Sequence, residues 1–236
     1  MNTCFQILEG GFDRNFTYII GCPVKKEIAL IDCAYPWDQL EQELGKWDSQ
    51  GFNLTKVFLT HSHGDHVLSL KELVEMTKAR VYAHPAEEER IFKLTRLRID
   101  QYICDKSILK IGEEKVEAHF TPGHQSGCTS FIWRDKIFTG DTLFIGKCGR
   151  CDFPESDPEA QLNSLRFLAN QIDENLIVHS GHNYGAEPYT SLKVQKETNP
   201  FMEDLSDDRY SEEIRIRWYQ RRMGKIPSSS IHQTPS

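Results

Sequence analysis

The sequence lacks any apolar run long enough to cross a bilayer: the longest, such as Val57-Phe58-Leu59, fall far short of the roughly 20 residues a spanning helix needs. No transmembrane segment is expected, and the mean hydropathy of −0.52 agrees. Excess basic charge is also missing. Lys and Arg total 28 against 35 Asp and Glu, and the net charge of −7 repels a polyanion, which argues against a nucleic-acid partner. There is no second C-x-x-C to complete a four-thiolate zinc site with Cys148 and Cys151, so that pair reads as structurally neutral. The start, Met1 to Phe5, lacks the basic residues and sustained apolar stretch of a secretory signal. The seven cysteines, an odd number, are therefore expected as thiols in a reducing cytoplasm. No internal repeat is present, and the one biased tract, Ser228 to Ser236, is expected to be disordered.

What is present is a chain of 236 residues, enough to bury a core without disulfides. Phe16–Ile20 and Ile28–Ile31 are rich in β-branched and aromatic residues and predict a hairpin around Gly21–Pro23. Trp37, Leu40, Leu44 and Trp47 recur at helical spacing, predicting a helix over 36–47; Val67–Lys78 and Ala86–Leu94 predict two more. Val57–Thr60, Arg80–Ala83, Val116–Phe120, Thr129–Trp133, Ile137–Thr139 and Leu176–Val178 read as strands. Asp157 before Pro158 is an N-cap with proline at the first helical position, and that helix should end near Asn170. Strands with intervening helices in both halves point to a layered α/β protein.

The chemistry concentrates in His61-Ser62-His63-Gly64-Asp65-His66, directly after an apolar strand. On a helix, residues two apart point about 200° apart, so His61 and His63 could not share a ligand; the segment must be a loop. Gly64 permits the turn that brings Asp65 and His66 round to the first two histidines. Imidazole nitrogen and carboxylate oxygen suit zinc, and also iron or manganese. Three further polar turns supply His124, Asp141 and His182, giving five histidines and two aspartates, enough for two metals with Asp141 as the natural bridge. Asp65 and Asp141 are the candidate catalytic carboxylates. The bland readings are that Asp141 caps a turn and Asp65 caps a helix. Lone His84, His119, His179 and His232 are assigned hydrogen-bonded structural roles.

In this order, His61-x-His63-x-Asp65-His66, His124, Asp141 and His182 resemble the metallo-β-lactamase superfamily. Thr121-Pro122-Gly123-His124, Thr139–Phe144, Cys148-Gly149-Arg150, Gly181–Tyr184 and Thr198–Phe201 look like its glyoxalase II-like hydrolases, over roughly residues 5–201. The resemblance implies a four-layer αββα sandwich, with a hydrolase domain at 1–200 and a short extension at 201–236, helical and then disordered. It implies His61, His63 and His124 on one metal, Asp65, His66 and His182 on the other, and Asp141 on both, with two zinc ions per chain and iron or manganese as alternatives. It further implies a metal-bridging hydroxide attacking a thioester carbonyl. The substrate would be a small molecule or carrier-protein-bound thioester, of glutathione or pantetheine type, touched by Arg150, Tyr184, Arg222 and Lys225. A monomer or homodimer, without nucleic acid or membrane, is expected. The rival from the same superfamily is a persulfide dioxygenase with one iron on His61, His124 and Asp141. A binding module that has kept its ligands for stability is the non-enzymatic alternative.

Overall fold

The computed structural model describes residues 4–206, 209 and 211–222. Strands β1 (Phe5–Gly10), β2 (Asn15–Cys22), β3 (Glu27–Ile31), β4 (Asn53–Phe58), β5 (Arg80–Ala83) and β6 (Gln101–Tyr102) lie side by side in that order as one sheet. Helices α1 (Trp37–Asp48), α2 (Leu70–Thr77) and α3 (Glu88–Thr95) connect its later strands. The first three strands pair antiparallel; from β3 onward neighbours run parallel, since a crossover helix returns the chain to the starting edge each time.

The second sheet takes β7 (Ser107–Ile111), β8 (Glu114–Phe120), β9 (Thr129–Trp133) and β10 (Lys136–Gly140). A small ribbon of β11 (Leu143–Phe144) and β12 (Lys147–Cys148) follows, then α4 (Pro158–Gln171). Strands β13 (Ile177–Ser180) and β14 (Tyr189–Ser191) complete this sheet beside β10, before α5 (Leu192–Thr198) and α6 (Glu212–Arg222).

The period of two along each strand builds the layers. On β2, Phe16, Tyr18 and Ile20 face the other sheet, while Ile19 faces the helices; on β3, Ala29 and Ile31 go inward, Ile28 and Leu30 outward. One apolar cluster lies between the first sheet and α1 to α3, a second between the sheets around Phe58, Phe131, Trp133 and Phe138, and a third between the second sheet and α4 to α6. The architecture is the four-layer αββα sandwich. Met202, Leu205 and Trp218, all beyond residue 200, belong to the third cluster.

Asp157 caps α4 as expected, accepting from the amides of Glu159 at 2.9 Å and Ala160 at 3.1 Å. Three expectations need adjustment. The hairpin turn falls at 23–26, because β2 and β3 stay paired through Cys22 and Glu27. Helix α2 begins at Leu70 instead of Val67, since the preceding residues are spent on turns that present Asp65 and His66. Strands β1 and β7 and helix α5 went unpredicted: β1 and β7 lie at or near sheet edges and carry only weak alternation, and α5 spans seven residues. Among the described residues no helix is long and apolar enough to cross a membrane.

Candidate metal centre

The donors sit where strands end. His61 and His63 follow β4, His124 follows β8, Asp141 follows β10 and His182 follows β13, all at one edge of the sandwich. An isolated bridge between Asn15 and His182, with the Phe16 amide donating to the Gly181 carbonyl at 2.8 Å, ties the two sheets together there. Gly181 allows the approach: a Cβ at this position would overlap Asp141 Oδ1 and lie 2.7 Å from His66 Cε1.

The structure brings all seven residues together. His63 Nδ1 lies 3.1 Å from His61 Nε2 and 2.9 Å from His124 Nε2, and Asp141 Oδ2 is 3.3 Å from His124 Nε2. On the other side, His66 Nε2 and His182 Nε2 are 3.2 Å apart, with Asp65 Oδ2 3.3 Å from His182 Nε2 and Asp141 Oδ1 3.2 Å from His66 Nε2. His61, His63 and His124 form one group that could hold an ion; Asp65, His66 and His182 form a second; Asp141 reaches both.

The far sides of the rings are anchored, and the anchors fix the tautomers. His124 Nδ1 faces the Arg150 carbonyl and His182 Nδ1 the Asp13 carbonyl, each at 2.8 Å, so both Nδ1 atoms carry the proton and both Nε2 lone pairs face inward. His66 Nδ1 is 2.8 Å from Asp32 Oδ2. Thr60 gives its hydroxyl proton to the same carboxylate at 2.7 Å, which leaves its oxygen to accept from His61 Nδ1 at 3.1 Å. Asn15 donates to Asp65 Oδ2 at 2.8 Å.

This donor set fits a pair of cations. His63 can give one ring proton to only one of its two close neighbours, whereas an ion about 2.0–2.1 Å from each nitrogen satisfies all three, and donors arranged tetrahedrally around it stand about 3.3 Å apart. Burial drives the first group to the neutral form that binds metal: His61 is held well below the ordinary histidine value, His63 falls to about 4, and His124 is lowered as well. In the second group burial opposes protonation, but Asp141 with Asp32 raises His66, and Asp141 with Asp65 raises His182 to about 10. Burial would raise Asp65 and Asp141 in turn, yet the neighbouring histidines hold both below the usual carboxylate range. A divalent cation competes with these protons for the same lone pairs.

The donors open into a cleft of about 410 Å³. Phe144, Phe153, Tyr184, Arg90 and Arg150 form much of its wall. The Phe153 ring meets His63 and His124 edge-on, with centroids 5.2 and 5.8 Å away, while Tyr184 stacks on His182 at 4.8 Å and donates its hydroxyl to Asp13. Arg150 pairs with Asp152 at 2.7 Å, and Arg90 pairs with Glu155. Arg150 and Tyr184 thus stand at the cleft. Arg222 does not: it sits on α6 against the buried thiols of Cys148 and Cys151, whose protons burial retains, and Lys225 lies outside the described residues. The reason is packing, because α6 lays Trp218 onto the third core and carries Arg222 away from the opening.

Sequence reading passed over Asp32, Asn15, Glu87, Arg90 and the Phe144 and Phe153 walls. Only Asp32 left a trace, an acidic residue directly after a buried strand, held at a left-handed φ of 56°. Of the lone histidines, His84 accepts from the Ala86 amide, and His119 pairs with Glu117 at 3.0 Å. His179 differs from expectation: it is buried among Phe5, Tyr18, Phe138 and Tyr189 with neither nitrogen hydrogen-bonded among the described residues. His232 lies outside them. All seven cysteines are free.

Two stacked sheets flanked by helices, with His and Asp donors from four strand ends meeting at one edge, define a class. Residues 10–182 match the family model of the metallo-beta-lactamase superfamily, and the chain belongs to that superfamily of largely zinc-dependent hydrolases. It is 28% identical over 207 residues to the probable polyketide biosynthesis zinc-dependent hydrolase PksB of Bacillus subtilis, covering 88% of this chain and 89% of that protein. Hydroxyacylglutathione hydrolase GloC of Haemophilus influenzae is 29% identical over 198 residues, covering 77% and 90%. The crystal structure of ETHE1 from Myxococcus xanthus superposes with a TM-score of 0.76 at 25% identity, over 95% of this chain and 92% of that one.

Proposed function

We propose that this protein is a dinuclear, zinc-dependent thioester hydrolase in which His61, His63 and His124 hold one ion, Asp65, His66 and His182 the other, and Asp141 both. The observation that carries the reading is the pair of complete donor groups sharing Asp141 at the floor of one open cleft. When bound, two such ions supply Lewis acidity and a water made acidic enough to attack at neutral pH. The chain's own residues do the rest. Asp141, buried and kept ionised, presents its carboxylate to both donor groups and would serve both ions. Phe144, Phe153 and Tyr184 exclude water from the approach to the acyl group. Arg150 and Tyr184 orient the thiol carrier, a small molecule or a carrier protein arm. Among the described residues no Ser, Cys or Lys lines the cleft, in keeping with a mechanism that needs no side-chain nucleophile. A thiolate leaves readily and needs little acid assistance. Similarity to GloC and PksB supports this substrate class, and seven free thiols support a cytoplasmic site of action.

The test is release of free thiol from matched acyl-glutathione and acyl-pantetheine thioesters by metal-loaded protein. Metal-dependent release supports the hydrolase. The likeness to the ETHE1 structure, and to the persulfide dioxygenase ETHE1 of Bos taurus, favours a second reading, a persulfide dioxygenase using one iron on His61, His124 and Asp141. Oxygen uptake with glutathione persulfide, one iron per chain and no thiol release would replace the first reading with the second.

A further inference from the structure

A buried carboxylate that no step above uses lies behind the first donor group. Glu87 is completely buried, at the end of the single 3-10 turn Pro85–Glu87 that leads into α3. Its Oε2 accepts the Ser62 amide at 2.9 Å and also the Ser62 hydroxyl, gripping the residue between His61 and His63. The Gln125 side chain, adjacent to His124, reaches the same Ser62 amide at 3.3 Å. A Cβ on Gly127 would overlap this carboxylate, so glycine lets the 124–127 loop pack against it. Every histidine of the first group therefore lies on a loop that is hydrogen-bonded to Glu87 or packed on it. The second group has other supports: Asp32 holds His66 directly and reaches His61 only through Thr60, Asn15 holds Asp65, and the Asp13 carbonyl holds His182.

We infer that Glu87 is a positioning residue for one of the two metal sites, setting the spacing of His61, His63 and His124 while leaving Asp65, His66 and His182 to Asp32 and Asn15. The physical reason is the number of hydrogen bonds converging on one desolvated carboxylate. Truncating it leaves the Ser62 hydroxyl without its acceptor in the interior and the Ser62 amide with only the longer contact to Gln125, and the loop must shift to find other partners. Donors must sit within about 0.5 Å of their productive positions, so a loop shift larger than that weakens binding.

The inference uses the donor assignment proposed above but not the thioester chemistry, and metal titration tests it without turnover. Metal-free wild type, Glu87→Ala, Glu87→Gln and Asp32→Asn are titrated with Co(II), following the visible absorption and chelator competition. Wild type is expected to bind two ions. In Glu87→Ala one binding step weakens at least tenfold and the matching part of the cobalt spectrum is lost, while the other step stays within threefold. Asp32→Asn weakens the opposite step more, since Asp32 touches His66 directly and His61 only through Thr60. Glu87→Gln, which keeps an acceptor for the Ser62 amide, restores at least part of the lost affinity and serves as the informative variant if the alanine form does not fold. Equal weakening of both steps in Glu87→Gln, or two unchanged steps in Glu87→Ala, overturns the assignment. Absence of thioesterase activity in metal-loaded wild type would count against the hydrolase reading alone, and wild-type titration of Glu87→Ala against this inference alone, because the titration does not depend on substrate.

Discussion

Asp32 Oδ2 lies 2.8 Å from Nδ1 of the fully buried His66, and the same carboxylate takes the Thr60 amide and the Thr60 hydroxyl, each at 2.7 Å. One residue in a left-handed backbone conformation thereby orients His66 directly and His61 through Thr60. Asp32→Asn places an amide where three donors converge and one acceptor is lost. Metal affinity is expected to fall by about 10–100-fold, as is usual when a ligand histidine loses its outer partner. Chelator competition measures it, and wild-type affinity would contradict the role.

His63 bridges the space between His61 and His124. Substituting His63→Ala should remove most activity and bound metal together. Elemental analysis beside a turnover assay decides: unchanged turnover at normal metal content would dismiss the proposed site.

Gly181 fits only because it has no side chain. In Gly181→Ala the added methyl meets Asp141 Oδ1 and the His66 ring, and the two ligands must part. Bound metal should be lost while the far-ultraviolet circular dichroism stays that of the folded protein. Full metal content in this variant would show that the loop yields.

His179 supplies a pH test. Burial, helped by the nearby Lys136 charge, lowers it to about 3, so the ring stays neutral in the folded chain at pH values where the unfolded chain protonates it. The unfolded state then binds the extra proton between about pH 6.5 and about 3, and stability falls as pH drops through that window. His179→Phe keeps an aromatic ring beside Phe138 and removes the proton. Denaturant unfolding of the two metal-free proteins at several pH values should show the variant gaining on wild type as acid is added; parallel curves would remove His179 as a cause.

Trp218 anchors α6. It is 4% exposed, packs in the third core, and donates its indole N–H to the Phe201 carbonyl at 3.3 Å. Trp218→Ala should cost about 3–5 kcal/mol of stability. Urea unfolding reads this directly, and a loss under about 1 kcal/mol would mean the helix contributes little to the core.

What the sequence by itself determined was the donor inventory and the strand-helix rhythm. His61 to His66 crowd ligand types into six residues around Gly64, which no core requirement explains, and apolar stretches such as Ile28–Ile31 and Val57–Leu59 declare buried strands by composition. Tertiary structure alone decided which distant residues serve those donors. Asp32, Asn15 and Glu87 are ordinary polar residues in the chain, and they matter because the fold brings their side chains within hydrogen-bonding reach of His66, Asp65 and the ligand-flanking Ser62, 25 to 50 positions away. Arg222 shows the reverse, a basic residue whose place is set by where Trp218 packs. Local pattern carries propensity and chemical type, but a contact between remote segments is written only in the folded arrangement that brings them together.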